Sequence, residues 1–304
     1  MAKKLKKLIL PLICTLFILA GCYEKVDWEP PPFDTKPVMN SVLVAGKPVR
    51  VHVSLTVPYG ANEAVIVEDA EVKLFVDGVF AETLAYQDKG YYQSQIVAEA
   101  GKEYICEVHL DNFPVMRGSV TLPKPNQILG VEHINIAGVD EEGHTYPAVK
   151  ITFKNDPETF TFHEVIIATL RTFRGISSWN RAAILDNIDP VLLNEGLPIT
   201  VFSNEIIGKD SYTMNINYTT GSYFSRDGGP TVTSLYPFKV EFRTLSHCYY
   251  RYSKQLFLYE YNNEEPFFSG GVLTPFTLYS NIENGYGIFA GYSSVTSDII
   301  DPNQ

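Results

Sequence analysis

The chain has 304 residues, of which 24 are lysine or arginine and 35 are acidic, a formal charge of −11 at pH 7. So acidic a chain is repelled by the phosphates of nucleic acid, and no nucleic-acid partner is expected. Four cysteines are too few for a disulfide framework, while 19 Tyr, 18 Phe, 21 Gly and 19 Pro predict many short strands and turns rather than a helical bundle.

Residues 1–21 read as an export leader. Lys3, Lys4, Lys6 and Lys7 are followed by an apolar run from Leu8 to Ala20, broken by Pro11. That run is shorter than the ~20 residues a membrane-spanning helix needs. The order Leu19-Ala20-Gly21-Cys22 resembles a lipobox, the bacterial signal whose cysteine takes a diacylglyceryl group. Cys22 is therefore the expected lipid anchor, and several acyl chains would hold it durably in a membrane. Cleavage before Cys22 removes four lysines and leaves 20 basic against 35 acidic residues, a formal charge of −15. The folded body then adds nothing to attraction for an anionic lipid surface.

Residues 22–37 read as an acidic, proline-rich tether. Pro30-Pro31-Pro32 favours extended polyproline II at ~3 Å per residue. Glu24, Asp27 and Glu29 just after Cys22 resemble signals for the outer face of the outer membrane, and fit a solvated linker equally well.

Residues 38–123 show valine-rich runs at roughly ten-residue spacing. They are Val38–Ala45, Val49–Val57, Ala70–Val76, Val79–Ala85, Tyr91–Val97, Glu103–Leu110 and Val115–Leu122. Asp77-Gly78 is the signature of a two-residue hairpin turn, because that turn needs positive φ. Seven such runs predict an immunoglobulin-like or prealbumin-like sandwich able to fold by itself. Cys106 falls on the apolar face of its run, and a link to Cys248 would have to join two domains. Pro123 and Pro125 mark a short rigid linker.

Residues 126–296 predict a second β-rich domain with less regular strands. The clearest are Ala148–Lys154, Phe160–Arg174, Tyr212–Tyr218 and Tyr236–Thr244. Ser178–Gly196 reads as short helix or helical turns, one of them starting at Asp189-Pro190. An amphipathic helix is expected at about 246–262, with Leu245, Cys248, Tyr249, Tyr252, Leu256 and Tyr259 as its apolar stripe. Asn284-Gly285 then reads as the turn of a terminal hairpin between Thr277–Ser280 and Gly287–Tyr292. The expected fold class is thus mainly β, a sandwich followed by a β-rich domain with one helix near the C-terminus.

Motifs of catalysis are missing: there is no Gly-x-Ser-x-Gly elbow, no Ser-x-x-Lys and no phosphate-cradling glycine loop. His163-Glu164 lacks the second histidine of a zinc-protease helix. The six histidines are scattered singly. Asp140-Glu141-Glu142 could offer oxygens to calcium, although such runs are more often solvated loop tips, and neither a metal nor a cofactor is expected. Paired carboxylates that meet only in space stay open. The segment Arg226-Asp227-Gly228-Gly229-Pro230, flanked by Tyr223, Phe224 and Tyr236, is the expected contact loop, since aromatics beside a glycine-rich turn can present a flat surface. The same residues would also serve to cap a sandwich edge.

The segment Tyr279-Ser280-Asn281-Ile282-Glu283-Asn284-Gly285-Tyr286-Gly287-Ile288-Phe289-Ala290-Gly291-Tyr292 resembles the C-terminal signature of a domain-of-unknown-function lipoprotein family of Bacteroidota. Gly90-Tyr91-Tyr92, Ala100-Gly101-Lys102-Glu103-Tyr104, Phe153-Lys154-Asn155-Asp156-Pro157, Phe202-Ser203-Asn204-Glu205 and Tyr249-Tyr250-Arg251-Tyr252 fit it in order. Members are often encoded beside TonB-dependent receptors. The resemblance implies a non-enzymatic outer-membrane accessory that assists such a receptor in ligand capture, with Tyr286 a further contact candidate. A stand-alone adhesion or glycan-binding module is the rival reading. The signature also has a structural reading, in which Gly287 and Gly291 permit close packing and Ile288 and Phe289 fill the core.

Overall fold

Alternation places the N-terminal strands where the sequence predicts them. β1 (Pro37–Val44), β2 (Pro48–Leu55), β4 (Glu71–Val76), β5 (Val79–Thr83), β7 (Tyr91–Val97), β8 (Glu103–His109) and β9 (Met116–Thr121) match the seven valine-rich runs, with short β3 (Val65–Ile66) and β6 (Ala85–Tyr86) between them. The computed structural model describes residues 33–58, 61, 63–185, 188–225, 231–264 and 277–303. The expected leader, Cys22, the three tether prolines and Arg226 lie outside the described residues. Asp77 and Gly78 sit at φ 49° and 78° between paired Val76 and Val79, the expected two-residue turn.

β4, β5, β8 and β9 form a four-stranded sheet. Val72, Leu74, Tyr104, Cys106, Val108 and Met116 from it share one core with Met39, Val51, Val53 and Tyr92 of β1, β2 and β7. This is a sandwich, each strand burying one face. Cys106 is a fully buried free thiol, and burial pushes its pKa up, so it is an inert core residue. Cys248 is free as well.

The second half adds β10 (Ile128–Val139), β11 (Thr145–Lys154), β12 (Phe162–Phe173), β13 (Ile176–Arg181), β14 (Ala183–Ile184), α1 (Pro190–Asn194), β15 (Val201–Ser203), β16 (Ser211–Thr219), β17 (Tyr223–Phe224), β18 (Val232–Thr233), β19 (Phe238–Leu245), α2 (His247–Glu264) and β20 (Tyr286–Thr296). Asp189 caps α1 by accepting from Val191 N–H, as the Asp-Pro pair predicts. The rest of the expected Ser178–Gly196 helical stretch is different, because Ser178–Arg181 belongs to β13, hydrogen-bonded along β12. A second core of Val149, Ile151, Phe153, Val165, Ile167, Met214, Ile216, Phe238, Val240 and Phe242 joins β11 and β16 to β12 and β19.

One ten-stranded sheet unites the two halves, in the order β13-β12-β19-β20-β1-β2-β7-β6, with β15 and β3 alongside. β20 lies between β19, antiparallel, and β1, parallel, with Val38 opposite Tyr286 and Val44 opposite Tyr292. This corrects the expected terminal hairpin, because Thr277–Ser280 forms no strand. Only Asn284 of the Asn-Gly pair has positive φ, 58°. Instead Glu283 bridges Arg117 of β9, and the chain then turns from the small sheet into the large one. Nor do Pro123 and Pro125 break the sheet, since Ile282 and Phe289 sit in the core of the N-terminal sandwich.

Helix α2 starts where Ser246 accepts from Tyr249 N–H at 3.3 Å, an N-cap. Leu245 of the expected stripe is the last residue of β19 instead. Tyr249 stacks on Tyr292 of β20 at 5.7 Å, so the helix covers the sheet face opposite the cores. A different helix face is also held, as Tyr250 and Lys254 donate to the buried Glu195 at 2.5 and 2.8 Å. Among the described residues no helix is long and apolar enough to cross a membrane.

Candidate functional site

The hairpin of β12 and β13 ends in a two-residue turn, Arg174 and Gly175, at φ 51° and 80°. Phe173 and Ile176, which pair across it, are 73 % and 75 % exposed. Among the described residues these two large apolar side chains stay mostly exposed, with the Arg174 guanidinium 5.3 Å from the Phe173 ring centre.

The neighbouring loops are tied to that tip through Arg171. Its guanidinium donates to the carbonyl of Thr220 and lies 5.3 Å from the centre of the Tyr236 ring. Thr220 Oγ1 donates to Ser234 O at 2.8 Å, joining the β16–β17 and β18–β19 connections. Tyr223 shares a hydrogen bond with Thr219 Oγ1 at 3.1 Å. Thr233 Oγ1 donates to Thr145 O at 2.7 Å, linking β18 to the start of β11. The Tyr223 ring then rests 4.5 Å from the imidazole of His144. Phe224 beside Tyr223 is exposed, as Phe173 and Ile176 are at the hairpin tip.

Of the sequence candidates, the structure therefore gathers Tyr223, Phe224 and Tyr236 at one end, Tyr236 half-buried beneath Arg171 as a support. Tyr286 is exposed but sits at the other end of the sheet, opposite Val38 near the start of β1. Arg226 and Cys22 lie outside the described residues. Sequence reasoning missed Arg171, Phe173 and His144. The Arg174-Gly175 pair between Phe173 and Ile176 was a legible turn signal, whereas Arg171 looked like one polar residue in a strand.

The loop beside His144 is the place among the described residues where a cation would find ligands. One ligand atom from each of Asp140, Glu142 and His144 falls within 4.8 Å of the others. Asp140 Oδ1 is occupied by the turn itself, accepting from Glu142 N–H at 3.0 Å and His144 N–H at 2.7 Å. His144 Nδ1 stands 3.4 Å from Asp140 Oδ2 and 3.4 Å from Glu142 Oε2. At that spacing His144 Nδ1 makes no hydrogen bond among the described residues.

The tip and the start of β1 lie far apart along the sheet. β1 starts level with Tyr286, and β12 starts level with Tyr292 through Leu245. Phe173 is eleven residues further on. Those six and eleven residues together give roughly 55 Å of strand rise at ~3.3 Å each.

A search of curated proteins returns no match to this chain. The family model described as "Domain of unknown function (DUF4249)" matches residues 23–298, nearly all of the body whose sheet carries both ends, and the chain belongs to that family.

Proposed function

We propose that this chain is a non-enzymatic, lipid-anchored outer-membrane accessory protein. Cys22 is its anchor, the residues before Pro37 its tether, and the aromatic tip its docking surface for a β-barrel receptor of the TonB-dependent kind. The observation that carries this reading is the separation of the exposed tip from the start of β1. Phe173 and Ile176 are exposed at the end of the large sheet remote from the start of β1, and Tyr223 and Phe224 of the six-stranded sheet are exposed as well. A surface remote from the start of β1 suits a protein partner, and its exposed aromatic residues are of the kind that anchor interfaces.

The test is affinity purification of the lipidated protein from its native membrane. A receptor-type barrel should copurify with the wild type and be lost from Phe173→Ser/Ile176→Ser protein of unchanged melting temperature. Full retention of the barrel by that variant would overturn the docking assignment. Glycan binding by the body with no barrel recovered would favour the stand-alone module. For the anchor, Cys22→Ser should abolish acyl labelling and release the body from membranes, because its charge offers no other hold.

A further inference from the structure

The large sheet presents another surface on the face that α2 covers only in part. Register lines up Ile288, Asn40, His52 and Tyr91 across β20, β1, β2 and β7, with Val42 and Arg50 two residues further along. Together with Tyr252 of α2 these residues line an open depression of about 400 Å³. It is independent of the aromatic tip and of the docking reading.

Two of its polar groups, Asn40 and Arg50, offer donors. Asn40 Oδ1 accepts from Ile288 N–H at 3.2 Å, which fixes the amide and leaves its NH2 free to meet a ligand. The Arg50 guanidinium lies 3.7 Å over the Tyr91 ring. That stacking occupies the flat face of the group and leaves its in-plane N–H edges for a ligand. His52 packs 4.7 Å from the same ring. Burial first, and Arg50 beside it, hold the His52 pKa below the usual value, so it is neutral at pH 7.

Among the described residues no carboxylate lines the depression. That matters in a chain with 35 acidic residues. Arg117, Arg181 and Arg243 each have a glutamate partner, but Arg50 has no carboxylate partner among the described residues. Val42, Ile288 and the two tyrosine rings supply apolar wall. A single guanidinium fork beside apolar surface matches a monoanion with two coplanar oxygens, and a phosphate dianion would call for more cations.

We infer that this depression binds a small organic carboxylate, with its oxygens on Arg50 and Asn40 and its apolar body against Val42, Ile288 and Tyr252. The experiment uses the leaderless mature chain with Cys22→Ser, which retains the whole compact unit Thr35–Gln304. 2-Naphthoate is titrated by calorimetry, with the neutral isostere 2-naphthamide and inorganic phosphate as comparisons. Naphthoate should bind one to one and at least about tenfold more tightly than naphthamide. Arg50→Gln should weaken it about tenfold, while Arg117→Gln should leave it unchanged. Asn40→Asp keeps the acceptor for Ile288 N–H but adds a negative charge, so it should weaken naphthoate even if Arg50→Gln proves unstable. Equal binding of acid and amide, or naphthoate binding undiminished in Asn40→Asp, would overturn the assignment. Displacement of naphthoate by phosphate at lower concentration would overturn it too.

Discussion

Glu164 is only 6 % exposed and is held by two guanidinium groups, Arg181 at 3.0 Å and Arg243 at 3.1 Å. Arg243 also bonds Glu241 at 2.8 Å and lies 4.3 Å from the Tyr292 ring. Removing Arg243 leaves the buried Glu164 charge to the half-exposed Arg181 alone, and breaking a buried pair typically costs 3–5 kcal/mol. Arg243→Met should therefore lower stability by roughly 3 kcal/mol in urea unfolding, and adding Glu164→Gln should restore part of the loss. His163 gives a pH dependence of known sign. Its ring is enclosed by Phe153, Phe202 and Phe242, with Thr161 Oγ1 2.9 Å from Nε2. Burial lowers its pKa from 6.5 to about 4. The unfolded chain then takes up a proton that the folded chain refuses. Stability is complete above pH 6.5 and falls as the pH drops from 6.5 towards 4, by up to about 3 kcal/mol. His163→Gln should flatten most of that slope in melts between pH 6.5 and 4.5. Partly buried His52 and His133, also lowered by burial, leave a smaller remainder.

At the scale of elements, β20 explains the glycine-rich C-terminal segment. Gly285 does not lie at positive φ. A Cβ there would stand 2.7 Å from Met116 Sδ and 2.8 Å from the Pro37 carbonyl oxygen, so close approach of β9 and β1 excludes a side chain. Gly287 combines φ 109° with a Cβ position 2.1 Å from the Met39 carbonyl oxygen. Asn281 bonds both backbone groups of Phe289, accepting from N–H at 2.9 Å and donating to O at 2.8 Å. Asn284 Nδ2 donates to Val115 O at 2.9 Å. These contacts stitch the crossing between sheets. Gly287→Ala should cost on the order of 4 kcal/mol, since a backbone atom must move. Gly46→Ala, at φ 82° but in open space, should cost about 1 kcal/mol. Equal melting temperatures for the two variants would show that crowding at β1 is not the reason for Gly287.

For the whole molecule, the shared sheet makes the halves interdependent. A fragment of residues 35–123 keeps seven good strands but loses β20 beside β1, and with it Phe289 and Ile282 from the core. Its exposed β1 edge becomes a template for pairing with other chains. Such a fragment should aggregate or melt without cooperativity in circular dichroism, whereas residues 35–304 should unfold in a cooperative transition. Cooperative folding of the short fragment alone would mean that β20 is an accessory to the sandwich and not part of it.

The N-terminal strands and the Asp77-Gly78 turn were legible because period-two alternation and positive-φ turns are local properties. The start of α2 was legible for the same reason, since a serine cap and helical spacing lie within a few residues. The long edge strand β10 was not, because its side chains are mostly exposed and alternate weakly. The placement of β20 was not, because its β1 partners lie nearly 250 residues earlier and compete with a plausible local hairpin. Separation along the chain also hid the meeting of Tyr223 with His144, the burial of Glu164 between two arginines, and the alignment of Asn40, His52 and Tyr91 under Tyr252. Strand positions were set by short-range chemistry. Which side chains share a surface was decided by pairing register, a property of strands competing for neighbours across the whole chain.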